Sequence, residues 1–343
     1  MEIANGLALL PDSTRVVLYI DDTESSRLLV GERNKALRVV KTYDRDICST
    51  DSADMELVLH DIFDTYPSRH YGLVFWSHAS GWTPDRQQAP RRRTFGIDNN
   101  RRNRVSDIGT KMEIPTMARV LAHHPHTDYI YFDACFMQCI EVAYELRHVT
   151  DYVMGSPAEI PADGAPYSLM MNLLASSGED VLEALQVIYD YYTTGEGHDK
   201  GIELSAIRTS ALEQLATATR PVVQKLFSGR IELDCDEVQR YFPHSGSIIY
   251  PDYYDMVNLF FQHLTTDEFL QWREHFVKAV PLTLLSPSWY SAFERRRQTV
   301  SDPDHCGGVS IFVPDEYYDG YMLVNAYHLF EWYTAAGMNT TGW

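Results

Sequence analysis

Short, continuously apolar runs alternate along the first two thirds of the chain with stretches whose apolar positions recur at helical spacing. VVLYI (16–20) predicts a buried strand, and RLLVGERNKALRVVKTY (27–43) predicts a hairpin around a Gly-Glu-Arg-Asn turn. Between Asp51 and Tyr66 the apolar residues Met55, Leu57, Val58, Leu59, Ile62 and Phe63 define one helical face, and Pro67 ends it. YGLVFWS (71–77) is a second apolar strand, followed by a long polar loop from Ala79 to Met112. EIPTMARVLAH then predicts a short helix, DYIYFD a third strand, CFMQCIEVAYELRH an amphipathic helix and DYVMGS a fourth strand. In this reading Cys135 opens the helix, and Cys139 lies one turn on, on the same face.

Strands that are apolar throughout and alternate with helices imply an α/β fold: a mostly parallel sheet covered by helices on both faces. After Ile207 the pattern is mainly helical, from about Thr209 to Ala279, until GGVSIFVP (307–314) supplies a late apolar strand. The expected organisation is a first domain over 1–208 and a mainly helical subdomain over 209–343, with the 307–314 strand returning to the main sheet. No internal repeat or low-complexity tract is visible.

Composition narrows the partners. With 29 basic and 48 acidic residues the net charge is −19, which disfavours nucleic acid and favours cationic ligands. No apolar run reaches the roughly 18 residues that a membrane-spanning helix needs. The segment MEIANGLALLPDSTR lacks a basic start and a long apolar stretch, so Met1 is equally compatible with a true start and with the remnant of a removed export signal. Five cysteines (Cys48, Cys135, Cys139, Cys235, Cys306) form an odd set without metal-type spacing, so a disulfide framework is not expected. The basic charge is concentrated: seven arginines fall between Arg86 and Arg104.

Chemistry gathers at two strand ends. In an open α/β sheet ligands bind beyond the carboxyl ends of the strands, and neighbouring parallel strands lie about 4.8 Å apart. His78 and Cys135 each follow such a strand end. A cysteine at a helix N-terminus is expected to favour its thiolate, a nearby imidazole serves as general acid or base, and the N–H groups of Ala79 and Ser80 are candidate oxyanion donors. Each residue also has an ordinary structural reading, since free cysteines are commonly buried and Cys139 suits core packing. HHPH (123–126) is broken by Pro125 and lacks acidic or thiol residues at ligand spacing, so a solvated turn is expected rather than a metal site.

LVFWSHASGW is similar to the His-Gly-Ser-Gly-Trp segment of clostripain-type cysteine peptidases, and FDACFMQCIEVAYELR resembles their Asp-Ala-Cys segment with its following helix. The resemblance runs from about Arg15 to the end, through VVLYI, DYVMGSPAEIPADGAPY and GGVSIFVP. It implies a caspase-like fold and a dyad of His78 as acid/base and Cys135 as nucleophile, cutting after Arg or Lys. It also implies an acidic S1 pocket, with Asp133 from the Asp-Ala-Cys motif and Asp163 as the second carboxylate. Asp133 is equally readable as a helix N-terminal acid. Some members of the family use calcium; no EF-hand spacing is present here, so no cofactor is expected. The family is known for processing between its two catalytic residues, which makes the arginine-rich loop 86–111 a candidate for self-cleavage after Arg91, Arg92 or Arg93. Relatives are typically exported bacterial enzymes, so periplasm, cell surface or medium is the expected location. One departure stands out: Ala79 replaces the usual glycine after the histidine. If that position required φ > 0, the protein would be a weakened or inactive relative that binds basic peptides. A metal-dependent hydrolase using the histidines ranks below both readings.

Overall fold

The computed structural model describes residues 2–83, 95–98, 110–195, 200–242, 252–320 and 322–343. The chain opens with a short helix, α1 (Glu2–Gly6). Next come three strands: β1 (Arg15–Asp21), β2 (Ser26–Glu32) and β3 (Arg38–Thr42). They form an antiparallel sheet of their own, so the predicted hairpin is present. VVLYI, however, is half-buried and pairs with the hairpin rather than joining a parallel sheet. The short connection from Asp21 to Ser26 allows only an antiparallel return; a parallel neighbour needs a longer crossover.

Helix α2 (Ser52–Thr65) starts where the Asp51 side chain accepts from the N–H groups of Ala53 and Asp54. It leads into β4 (Gly72–Trp76), then a small hairpin of β5 (Phe95–Asp98) and β6 (Thr110–Met112). The loop expected to lack secondary structure therefore carries a two-stranded sheet. Helix α3 (Ile114–Leu121) precedes β7 (Thr127–Asp133); α4 (Ile140–Glu145) precedes β8 (Thr150–Gly155). Helices α5 (Tyr167–Leu174) and α6 (Glu183–Thr194) lead to β9 (Glu203–Arg208). The rest contains α7 (Leu212–Phe227), β10 (Tyr254–Asp255), α8 (Met256–His263) and α9 (Thr266–Ala279). It continues with β11 (Leu282–Leu285), a hairpin of β12 (Ser288–Ser291) and β13 (Arg296–Thr299), and β14 (Ser310–Ile311).

The central sheet has the order β11-β9-β8-β7-β4, with β4, β7 and β8 parallel and β9 antiparallel to both its neighbours. Alternate residues of β7 face two different cores. Ile130 and Phe132 pack with residues of α3, α4 and α7, whereas Tyr129 and Tyr131 pack with residues of α5 and α6. This two-sided burial is why the strand reads as uninterruptedly apolar, and it places helices on both faces.

The late strand falls elsewhere than expected. The segment 307–314 contributes only the two-residue β14, which pairs with β10 and bridges Cys139 to Ser310, outside the central sheet. Gly307 and Gly308 are held instead by buried Asp255, which accepts both their N–H groups. The strand that does return to the sheet is β11, antiparallel to β9. No helix among the described residues is long and apolar enough to cross a membrane.

Candidate active site

In the register of the parallel pair β4 and β7, Trp76 lies opposite Asp133. His78 and Cys135 each follow two residues later, so equivalent positions beyond neighbouring strand ends carry the imidazole and the thiol. His78 is exposed and Cys135 half-buried.

The two turns touch. Gly81 has φ 65°, and a Cβ placed there would meet the Phe136 carbonyl oxygen at 2.9 Å and the Tyr253 hydroxyl at 2.7 Å. Only a glycine allows this approach and this backbone. The Ser80 carbonyl accepts from the Thr83 hydroxyl at 2.7 Å and from the Tyr253 hydroxyl, while the His78 carbonyl accepts from Gly96 N–H at 3.0 Å. Ala79, bridged to Phe95, is not among the residues with positive φ, so the reason for suspecting a weakened turn falls away. The left-handed position belongs to Gly81.

The turn after β7 departs from the expected helix. Residues 134–136 turn, and α4 begins only at Ile140. Phe136 takes φ 62°, a conformation costing roughly 1–2 kcal/mol for a non-glycine residue and often retained at functional sites. Surrounding bonds hold it there: Phe136 N–H donates to the Ala158 carbonyl and Gln138 N–H to the Ser156 carbonyl, both at 3.0 Å. Cys135 consequently gains no helix terminus. Burial pushes its thiol up to about 12, with the charges of Glu159 and Asp133 adding to the shift; Ile160 N–H, 3.5 Å from the sulfur, opposes it. The turn therefore gives Cys135 none of the thiolate stabilisation expected of a helix N-terminus, and its burial favours the neutral thiol. Cys139 stands at the N-cap position of α4 instead of sharing a helical face with Cys135; its thiol is buried and donates to the Phe136 carbonyl at 2.8 Å.

Asp133 is buried, and its Oδ2 accepts from Ala165 N–H at 3.0 Å and from the Tyr167 hydroxyl at 2.7 Å. Burial raises its pKa against those bonds. Asp163 is exposed on the turn 161–164, which Gly164 N–H closes onto the Pro161 carbonyl at 3.0 Å. That turn lies against the first carboxylate: a Cβ on Gly164 would come within 2.8 Å of Asp133 Oδ2 and 3.0 Å of Trp76 Nε1. Gly164, the residue after Asp163, thus packs against both Asp133 and the Trp76 indole, which is 67% exposed.

Trp76 and Glu159 carry no motif that marks them in the sequence. Trp76 is visible only as an aromatic residue at a strand end. Glu159 is buried, and one of its oxygens accepts from Ala292 N–H at 2.9 Å and Phe293 N–H at 3.3 Å. Arg91, Arg92 and Arg93 lie outside the described residues. HHPH is not simply a solvated turn: His123 and His126 pair with Glu56 and Asp151, but the His124 side chain is buried and stacks on Phe63. Among the described residues no group of three or more His, Cys, Asp or Glu is arranged to hold a metal ion.

The profile of the clostripain family, peptidase C11, matches residues 1–337. A secreted C11 cysteine protease from Bacteroides thetaiotaomicron, solved with an irreversible peptide inhibitor, is 28% identical; the alignment covers 99% of this chain and 93% of that one, with a TM-score of 0.83. An inactive zymogen C11 protease from Parabacteroides distasonis is 26% identical over 98% of this chain and 91% of that one, with a TM-score of 0.80. A cysteine protease from B. fragilis is 30% identical, covering 73% of this chain and 99% of its own length, with a TM-score of 0.63. No curated protein matches the chain.

Proposed function

Because the chain belongs to the clostripain family of cysteine peptidases, with its caspase-like α/β fold, we propose that it hydrolyses peptide bonds after arginine or lysine through Cys135 and His78. The observation that carries this reading is the contact between their two turns at Gly81 and Phe136. With a neutral thiol at rest, His78 accepts the proton as sulfur attacks the carbonyl carbon, and returns it to the departing amine. Water then hydrolyses the thioester, restoring the thiol. The N–H groups of Ala79 and Ser80 are the proposed donors to the developing oxyanion; that of Phe136 is already bonded to Ala158.

Asp133 and Asp163 hold the P1 cation. A desolvated carboxylate whose pKa is raised gains most from an arriving cation, because the guanidinium or ammonium restores the charge that burial disfavours. The loop 86–111 is the site of self-cleavage, after Arg91, Arg92 or Arg93. Supporting this, the chain leaves the histidine turn at Thr83 and returns at Phe95 to pair with Ala79. Export from a bacterial cell fits the secreted B. thetaiotaomicron neighbour.

A peptide-library digest read by mass spectrometry tests the proposal. Wild type should cut after Arg or Lys and Cys135→Ala should not cut; cleavage without preference for P1 charge would refute the specificity, and activity in Cys135→Ala the chemistry.

A further inference from the structure

The β12–β13 hairpin closes through residues 292–295, and two independent routes join this tip to the nucleophile's turn. One is polar: Ile160 N–H lies 3.5 Å from the Cys135 sulfur, and the adjacent Glu159 accepts from Ala292 and Phe293 N–H groups at the tip. The other is aromatic: Phe136, next to Cys135, packs edge-on against Phe242 at 5.4 Å between ring centres, and Phe242 against Phe293 at 5.5 Å. Both routes pass through the buried Glu159, Phe136 and Phe242, so the hairpin tip is fixed in position relative to the thiol.

The tip is basic on an acidic protein. Arg295, Arg296 and Arg297 are consecutive and exposed. Arg297 is turned back onto the hairpin, donating to the Ser288 carbonyl at 2.7 Å. Arg296 has a loose pair with Glu294 at 3.6 Å, its own side chain 64% exposed. Arg295 has no ion-pair partner among the described residues, and its backbone is held at φ 52°. Phe293, 47% exposed, gives the same tip an apolar surface. Exposed guanidinium groups on an element tied to the thiol's turn suit a carboxylate brought by a bound peptide.

We propose that the 292–295 tip with Arg296 is a second recognition subsite, taking an acidic side chain of the substrate at a fixed position other than P1. This rests on the reading of Cys135 as the peptidase nucleophile. The cleft is then polar end to end: carboxylates at Asp133 and Asp163 select a cation, and arginines at the hairpin select an anion. A preferred sequence combines one basic and one acidic residue at a set spacing.

The test is a positional library with P1 fixed as arginine, digested by wild type, by Arg295→Gln, and by the double variant Arg295→Glu, Arg296→Glu. Wild type should enrich Asp and Glu at one position by about three- to five-fold. Arg295→Gln should weaken that enrichment, and the double variant should abolish it and favour Lys or Arg there, with alkylation of Cys135 unchanged. Wild type without acidic enrichment, or variants that keep it, would overturn the subsite. A parallel library with P1 varied reads the other claim separately: loss of the P1 preference for basic residues with the acidic enrichment intact refutes the S1 assignment alone.

Discussion

Gly81→Ala tests how the His78 and Cys135 turns are held together. At φ 65° an alanine pays roughly 1–2 kcal/mol for the left-handed backbone. Its methyl would also lie 2.7 Å from the Tyr253 hydroxyl and 2.9 Å from the Phe136 carbonyl oxygen. The tyrosine, buried and stacked on Phe136, must shift its hydroxyl, weakening its hydrogen bonds with the Ser80 carbonyl and the Thr83 hydroxyl by about 1 kcal/mol in all. The carbonyl is backbone and can yield only if the Cys135 turn shifts. The sum is a destabilisation of about 2–3 kcal/mol, roughly a 30- to 150-fold change in the ratio of folded to unfolded protein. The forced displacement separates His78 from Cys135, and misplacement by about 1 Å is enough to lower turnover some hundredfold. Ala79→Gly is the paired control, since residue 79 needs no positive φ, and it should stay within about 1 kcal/mol with near-normal activity. Urea unfolding and kcat/KM on an arginyl reporter measure both effects. If Gly81→Ala matched wild type in both, or if Ala79→Gly strongly increased activity, the packing argument would be wrong.

Three further outcomes are expected. With its pKa raised to about 12, Cys135 in the free enzyme should react with iodoacetamide at a rate climbing about tenfold per pH unit between about pH 6 and pH 10; a plateau beginning below about pH 7 would reveal a preformed thiolate. Asp163→Asn should lower kcat/KM for P1 arginine by about tenfold or more and spare P1 leucine, whereas equal losses would make Asp163 a residue of the fold. Incubated wild type should resolve on a denaturing gel into two fragments with a new N-terminus between Arg91 and Lys111, while Cys135→Ala stays whole; a fully active wild type that remains one band would rule out processing as the switch.

What could be read in the sequence depended on how local its cause was. DYIYFD and YGLVFWS declared themselves because a strand buried on both faces must be apolar throughout, and their ends located His78 and Cys135. The helix expected from Cys135 starts only at Ile140 for a physical reason: the apolar spacing runs through residues 135–139, but Phe136 turns left-handed and Gln138 bonds across to Ser156, Val153 and Ser205. Periodicity records which side chains are buried, and here a turn buries them as thoroughly as a helix would. The thiolate expectation depended on that earlier helix start. GGVSIFVP likewise has the composition of a sheet strand, yet Gly307 and Gly308 are drawn to the buried Asp255 carboxylate. Glu159 gave no signal, because its partners at Ala292 and Phe293 are more than a hundred residues away.

The most direct measurement is to treat the protein with an arginyl chloromethyl ketone and map the adduct by mass spectrometry. Cys48, half-buried like Cys135, is the internal competitor; Cys139, Cys235 and Cys306 are buried. A single adduct on Cys135 is predicted, absent in Cys135→Ala, greatly slowed in His78→Ala and suppressed by excess arginyl peptide. Labelling on Cys48, or labelling that persists at full rate without His78, would contradict the assignment of the dyad.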